Sequence, residues 1–146
     1  MKIKSRVQNR AGQHLVNLST NDQTHSLEIA PRASGFGSSA NGGELLFLAL
    51  ATCYCNDIYR EAGKRGIKVD GVEVEVQGDF GGEGEPAKNV TYWAKVTAQA
   101  TEAAIFELMR ATDGLVEIQN TLRLGVPVVL DKIEAVRAST DVGETR

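Results

Sequence analysis

The segment 44–66, which reads ELLFLALATCYCNDIYREAGKRG, restricts the possible folds of this chain more than any other. Its length and composition predict about six turns of helix. Asn41 and several glycines precede it, Glu44 places a negative charge in the first turn, and Lys64 and Arg65 place positive charges in the last turn. The first half is apolar on all sides, so we expect it to be buried on every side, whereas the second half is amphipathic.

The segments on either side of this helix alternate between apolar and polar residues, which predicts strands. Two further stretches have helical spacing, the first with Thr101 as its N-cap. In chain order the predicted elements are strands 3–8, 14–20 and 24–30, the long helix, a hairpin of 67–80 and 88–100, helices 101–112 and 116–125, and a final strand 126–134. This order indicates an α+β fold.

Length, charge and cysteine content exclude several classes of protein. The 146 residues predict a single domain, 1–146, with a frayed tail over 134–146. A net charge of −3 without a basic patch argues against nucleic-acid binding. The longest apolar run, 45–51, is far short of the roughly 20 residues that span a bilayer, and no signal peptide is visible. We therefore expect a soluble, cytoplasmic protein with no membrane contact.

The only two cysteines, Cys53 and Cys55, lie two positions apart on the predicted helix. Residues so spaced point about 200° apart, so an internal disulfide would require the helix to break. Cys55 shares its helix face with apolar residues, which is typical of a small packing residue. The face of Cys53 changes from apolar to polar at the thiol, with Asp57 placed to raise the thiol pKa and Arg60 placed to lower it. From these residues alone, a structural role for either cysteine remains the commoner outcome.

Metal, cofactor and hydrolase chemistry find little support in the sequence. Zinc needs three or four converging ligands, but the two cysteines diverge, and His14 and His25 lie on predicted strands. Neither histidine has a recognisable nucleophile motif around it. The sequence therefore predicts no metal and no cofactor.

Four features taken together resemble the OsmC/Ohr family, the osmotically inducible protein C and organic hydroperoxide resistance proteins. They are the glycine-rich loop 31–43, the helix segment ELLFLALATC, the sequence GIKV that opens a valine-rich strand, and the later NTLRLGVPVVL. The resemblance covers residues 3 to 134. It implies an OsmC-like fold and an intertwined homodimer with active sites at the subunit interface. It also implies reduction of organic hydroperoxides by a cysteine that small dithiols regenerate.

Three site residues follow from this resemblance. Cys53 occupies the position of the cysteine that attacks the peroxide. Arg10 matches the arginine of the N-terminal hairpin, with Arg6 as an alternative, and Arg60 is a further candidate to serve the thiol. Glu44 matches the glutamate at the start of the central helix.

The chain also departs from the family pattern at two positions. The glutamate that pairs with the arginine normally lies one residue before Glu44, where this chain has Gly43. The second, resolving cysteine is expected at or near Val116, and no cysteine is there. A sulfenic acid formed on Cys53 would therefore need an external thiol to reduce it.

Two functions remain open on this basis. The first is one-cysteine reduction of organic hydroperoxides in oxidative stress defence, with an external thiol reductant as partner. The second is a non-catalytic protein that binds a small hydrophobic or thiol-containing ligand at the dimer cleft.

Overall fold

A computed structural model of the chain describes residues 1–138. The elements in chain order are β1 (Ile3–Arg10), β2 (Gln13–Thr20), β3 (Gln23–Ser26), α1 (Gly42–Lys64), β4 (Val69–Asp79), β5 (Lys88–Ala98), α2 (Glu102–Leu115) and α3 (Glu117–Leu124). The strands form two antiparallel sheets, β1–β2–β3 and β4–β5. The α+β prediction is confirmed. Within the described residues, no helix combines the length and apolar character needed to cross a membrane.

Helix α1 covers the predicted segment, with each end two residues earlier than predicted. The Asn41 side chain accepts a hydrogen bond from the Glu44 backbone N–H at 2.9 Å, and the Glu44 carboxylate accepts one from the Asn41 N–H at 2.7 Å. This reciprocal capping box satisfies two backbone donors that the first turn would otherwise leave unpaired. The helix ends at Lys64, and Gly66 follows with a φ of 66°, a conformation that glycine adopts without strain.

The core lies between α1, α2 and one face of the β4–β5 hairpin. Both strands alternate between more buried and more exposed residues, so that the hairpin presents one apolar face to the helices and one polar face to solvent. The most deeply buried side chains of the core cluster come from both long helices and from the residue before α3: Tyr54, Ile58, Ala62, Leu108 and Val116.

The expectation that the first half of α1 is buried on every side is wrong for the single chain. The buried residues of α1 begin at Leu50 and lie mostly in its second half, while Leu48 is 55% exposed. The reason is that, among the described residues, no other element covers the outer face of the first turns. This helix is therefore buried at its C-terminal half and open along part of its N-terminal half.

The N-terminal sheet makes few contacts with the rest of the molecule. Every residue of β1 is exposed, and the third strand ends at Ser26, four residues earlier than predicted. A link to the glycine-rich loop comes from Asn9, whose side chain donates to the Gly37 carbonyl at 3.1 Å and accepts from the Gly37 N–H at 2.9 Å.

The predicted final strand, 126–134, is absent from the single chain. These residues have no regular secondary structure, and Val128 and Leu130 are 98% and 79% exposed. A strand needs a neighbour to pair its backbone groups, and this segment pairs with no strand among residues 1–138. Of the predicted frayed tail, residues 134–138 are also irregular, and residues 139–146 lie outside the described residues.

Candidate functional site

The thiol of Cys53 lies at the N-terminus of α3. Cys53 is half-buried on α1, its sulfur lies 3.8 Å from the Glu117 side chain, and the backbone N–H groups of Ile118 and Glu117 act to lower the pKa of the thiol. The N-cap residue of α3 is Val116, whose side chain offers no capping oxygen. The first N–H groups of a helix carry partial positive charge and need acceptors. These N–H groups therefore favour negative charge on the nearby sulfur of Cys53.

Two carboxyl groups and one guanidinium complete the arrangement around this sulfur. The Cys53 Sγ atom lies 3.8 Å from Glu117 Oε2 and 4.0 Å from Asp57 Oδ2. The Arg60 Nη1 atom lies 2.9 Å from Asp57 Oδ1 and 3.6 Å from Glu117 Oε1. Asp57 is only 6% exposed, so its charge depends on the guanidinium for compensation. We call Cys53, Asp57, Arg60 and Glu117 the thiol cluster.

Burial raises the pKa of the Cys53 thiol, and the negative charges of Asp57 and Glu117 raise it further, whereas the N–H of Ile118 acts in the opposite direction. Burial and the charge of Glu117 likewise raise the pKa of Asp57 against the effect of Arg60. Hydrogen bonding from its own backbone N–H lowers the pKa of Glu117, and Arg60 adds to this. The sequence-based expectation that Asp57 opposes thiolate formation agrees with these directions, and burial together with the two carboxylates favours the protonated thiol.

We expect the alkylation rate of Cys53 to keep rising with pH beyond 9.0, the ordinary value for a cysteine, because only the thiolate reacts. In a Cys55→Ser background, Glu117→Gln removes one of the charges that raise this pKa. Alkylation by iodoacetamide at pH 8 should become about twofold to fivefold faster. Glu107→Gln, which changes an exposed carboxylate on α2, is the matched control and should leave the rate unchanged. A rate that levels off below pH 9.0 would contradict the raised pKa.

The structure does not bring Arg10 or Glu44 to the thiol within one chain. Arg10 ends the exposed strand β1, and Arg6 lies on the same strand. Glu44 is engaged in the capping box of α1. Among the described residues, Arg60 is the arginine joined to the carboxylates of the thiol cluster. The roles of Arg10 and Glu44 therefore stay predictions that a second copy of the chain would have to fulfil.

The two departures from the family pattern have distinct surroundings. A Cβ atom added to Gly43 would lie 2.8 Å from the ring of Phe80, so a glutamate at this position requires that ring to move. Val116 is fully buried and directly precedes the two residues whose N–H groups contact the Cys53 sulfur. A second cysteine at position 116 would thus lie next to this thiol, and this chain has a valine in its place.

Sequence reasoning missed Glu117. It follows the position at which the resemblance placed the resolving cysteine, and this adjacency was the signal that could have indicated it. Cys55 is also half-buried, and Cys53 rather than Cys55 packs against the core cluster, so the prediction of Cys55 as the buried packing residue is not confirmed.

The donor atoms of Cys53, Asp57 and Glu117 all lie within 4.8 Å of one another, a spacing that a metal ion could use. However, Arg60 already occupies both carboxylates, and backbone N–H groups face the sulfur. Positive charge on two sides opposes a cation, so the arrangement favours thiol chemistry over metal binding.

Comparison with known proteins places this geometry in context. A family model described as OsmC-like protein matches residues 35–131. No curated protein matches the chain. The chain is similar in structure to an OsmC-like protein from Mycoplasma pneumoniae (18% identity, TM-score 0.56, 84% of this chain and 89% of the other covered). It is also similar to an OsmC-like protein of unknown function from Vibrio cholerae (11% identity, TM-score 0.56, 83% and 93% covered). An OsmC-like hydroperoxide resistance protein from Jannaschia sp. shares 16% identity, with a TM-score of 0.50 and 98% and 92% coverage.

Proposed function

Because the chain belongs to the OsmC-like protein family, we propose that it reduces organic hydroperoxides, with Cys53 as the attacking thiol and an external thiol as reductant. The predicted family membership is confirmed by the match over residues 35–131. The activity and the site residues are our proposal. We also propose that the chain forms a single domain, that it is located in the cytoplasm and that it acts in defence against oxidative stress.

The observation that carries the proposal is the position of the Cys53 sulfur at the N-terminus of α3, beside an arginine held by two carboxylates. Attack by sulfur on a peroxide produces an alkoxide leaving group and requires a proton source and nearby positive charge. The α3 N–H groups favour the thiolate when it forms, and the carboxyl groups of Asp57 and Glu117 lie within 4.0 Å of the sulfur to exchange its proton. In this proposal Arg60 takes the part that the family resemblance assigns to Arg10.

The proposed reaction has three balanced steps. The Cys53 thiolate attacks one peroxide oxygen, the O–O bond breaks, and the leaving alkoxide takes a proton to give an alcohol, so that sulfur is oxidised to a sulfenic acid and the peroxide is reduced. An external thiol then forms a mixed disulfide with the sulfenic sulfur and releases water. A second external thiol attacks this disulfide, restores the Cys53 thiol and leaves as a disulfide with the first. With Val116 in place of a resolving cysteine, both reducing thiols must come from outside the chain.

The direct test is the consumption of cumene hydroperoxide by the purified protein with dithiothreitol as reductant. We expect many molecules of hydroperoxide to be consumed per chain, and dimedone added without reductant should label Cys53 as a sulfenic acid. Consumption no faster than that by dithiothreitol alone would contradict the proposal.

A second function, ligand binding without catalysis, is favoured by one observation. The pKa of the Cys53 thiol is raised, which lowers its reactivity at neutral pH. If the hydroperoxide test gives no turnover while the protein retains a bound small molecule in native mass spectrometry, this second function replaces the first.

We also propose that the protein is a homodimer. Support comes from apolar side chains exposed in several separate elements, including Val7 on β1, Leu48 on α1, and Val128 and Leu130 in the irregular segment 126–134. Surfaces of this kind commonly pack against another chain. A second copy would also supply the neighbour that the predicted final strand lacks.

Light scattering during size-exclusion chromatography should therefore give twice the chain mass of 15.7 kDa. The double variant Val128→Asp and Leu130→Asp should shift the protein towards the single-chain mass, because it places charges in the proposed interface. Lys132→Asp, a charge change in the same irregular segment, is the control. A wild-type protein of single-chain mass would contradict the dimer.

A further inference from the structure

Helix α3, whose Glu117 carboxylate and first N–H groups act on the Cys53 thiol, has little apolar packing of its own. It has eight residues, and a helix of that length is unstable without tertiary contacts. Within the described part of the chain, Gln119 is its one buried residue, while Leu122 and Leu124 are 44% and 82% exposed. The position of α3 therefore depends largely on polar contacts.

The beginning of α3 is held by the core and by α1. Val116, which directly precedes the helix, is fully buried, and Gln119 Nε2 donates a hydrogen bond to the Leu50 carbonyl at 3.0 Å. These contacts fix the first turn of the helix, but they leave its axis free to pivot about that turn. A second anchor near the far end is needed to fix the direction of the axis, and with it the place of the Glu117 side chain.

The far end is held by Arg123, in the last turn of α3. Its Nη2 donates to Asp113 Oδ1 at 2.6 Å, and its Nη1 donates to the Asp113 carbonyl at 2.9 Å. Asn120 Nδ2 donates to the neighbouring Gly114 carbonyl at 3.1 Å. Both carbonyls belong to the last turn of α2, which carries no basic residue of its own and whose carbonyls need donors from outside the helix. Two side chains of α3 thus cap the end of α2.

Asp113 also joins this anchor to the β4–β5 hairpin. Tyr92 on β5 donates its hydroxyl hydrogen to Asp113 Oδ1, the atom that also accepts from Arg123. The Tyr92 ring packs against Tyr54, with 5.0 Å between ring centroids, and Tyr54 directly follows Cys53 on α1. Burial acts to raise the pKa of Asp113, but the Tyr92 hydroxyl and the Arg123 guanidinium lower it. The carboxylate is therefore charged at neutral pH and attracts both partners.

We propose that Asp113 is a positioning residue for Cys53. It anchors the far end of α3 through Arg123, and this anchor keeps Glu117 Oε2 3.8 Å from the sulfur. Asp113 and Arg123 are nearly half exposed, and exposed ion pairs add little to stability, so we expect the pair to act mainly on the position of α3. The inference rests on the proposed function only in treating Cys53 as the reacting thiol.

The test asks whether Glu117 still acts on the thiol when Asp113 is changed. Alkylation of Cys53 by iodoacetamide is measured at pH 8 in a Cys55→Ser background, with and without Glu117→Gln, and the ratio of the two rates is taken. With Asp113 unchanged, Glu117→Gln should raise the rate about twofold to fivefold. In Asp113→Ala the ratio should fall to about one, because the carboxylate no longer lies beside the sulfur. Asp113→Asn keeps an acceptor oxygen and should give an intermediate ratio.

Asp79→Ala is the matched control for this experiment. Asp79 also accepts a side-chain hydrogen bond, from Asn89 Nδ2 at 2.9 Å, but it lies at the end of β4. In this variant the ratio should stay at about two to five. A loss of stability that leaves α3 in place would lower the midpoint of thermal unfolding without changing the ratio, so the ratio separates positioning from a purely structural role.

The possible outcomes separate this inference from the proposed function. An unchanged ratio in Asp113→Ala, or a ratio of about one in the protein that retains Asp113, overturns the inference whether or not hydroperoxide is consumed. Failure of the hydroperoxide test ends the proposed function and leaves these alkylation rates unaffected. If Asp113→Ala does not fold, Arg123→Met removes the same anchor from a half-exposed position. A ratio of about one in that variant supports the inference, and a ratio of about two to five overturns it.

Discussion

Replacing Cys53 with serine is expected to reduce the consumption of cumene hydroperoxide by at least about a hundredfold, to the rate of dithiothreitol alone. A serine hydroxyl is a far weaker nucleophile than a thiolate and cannot form a sulfenic acid. The substitution replaces the sulfur atom with a slightly smaller oxygen atom, so the half-buried position on α1 should tolerate it. The measurement is the initial rate of hydroperoxide loss with the reductant in excess.

Cys55→Ser is the matched control for this prediction. Cys55 lies two residues away on the same helix, and its sulfur is directed away from the thiol cluster. We expect this variant to retain the wild-type rate within about twofold. Loss of turnover in Cys55→Ser, or full turnover in Cys53→Ser, would show that the reaction does not proceed through the thiol at the N-terminus of α3.

Replacing Arg60 with methionine is expected to lower kcat/KM for cumene hydroperoxide by about tenfold to a hundredfold. Arg60 contacts Asp57 and Glu117, and these two carboxyl groups lie beside the sulfur. Without the guanidinium, their negative charge acts on the thiol without compensation, and the pKa of Cys53 rises further. The protein should also be less stable, because Asp57 is buried and loses its partner.

Because Arg60 acts through the carboxylates, it is a positioning residue, and the pH profile distinguishes this role from a structural one. In Arg60→Met the pKa of Cys53 is higher, so a smaller fraction of the thiol is ionised at neutral pH. The rate should therefore recover as the pH rises and more of the thiol becomes thiolate. Arg60→Lys keeps the charge and should restore part of the activity at neutral pH. Lys64→Met removes a neighbouring cation that pairs with Glu61, so it serves as the control and should leave the profile unchanged. Equal pH profiles for Arg60→Met and the wild type would exclude this role.

In the proposed reaction, Val116 in place of a resolving cysteine affects how long a sulfenic acid on Cys53 persists. A sulfenic acid with a resolving cysteine beside it is protected as a disulfide, whereas one without such a neighbour is exposed to a second peroxide. Val116 is fully buried against the core, so no other group of the chain replaces the missing thiol at that position. If the proposed reaction holds, we expect turnover to fall more steeply with decreasing thiol concentration than in a two-cysteine family member.

Local sequence was sufficient to predict the positions of most elements. Asn41 before α1, Glu44 in its first turn, Gly66 after its end and the N-cap Thr101 each act within about four residues, and the structure has them where the sequence indicated. The opposite directions of Cys53 and Cys55 likewise follow from helix geometry alone. Hydrogen bonds and steric limits between near neighbours do not depend on the rest of the fold, which is why these predictions succeeded.

Only the tertiary structure showed which distant residues reach the thiol. Glu117 lies 64 residues beyond Cys53, and Gln119 lies 69 residues beyond Leu50, yet each contacts its distant counterpart because α3 packs across α1. The same packing places Glu117 Oε1 3.6 Å from Arg60 Nη1. Contacts of this kind depend on how helices and sheets exclude water from a shared core, and no spacing along the sequence encodes them. The sequence by itself determined the helix, the thiol it carries and the nearby charges of Asp57 and Arg60, and the packing of the folded chain added Glu117 beside that thiol.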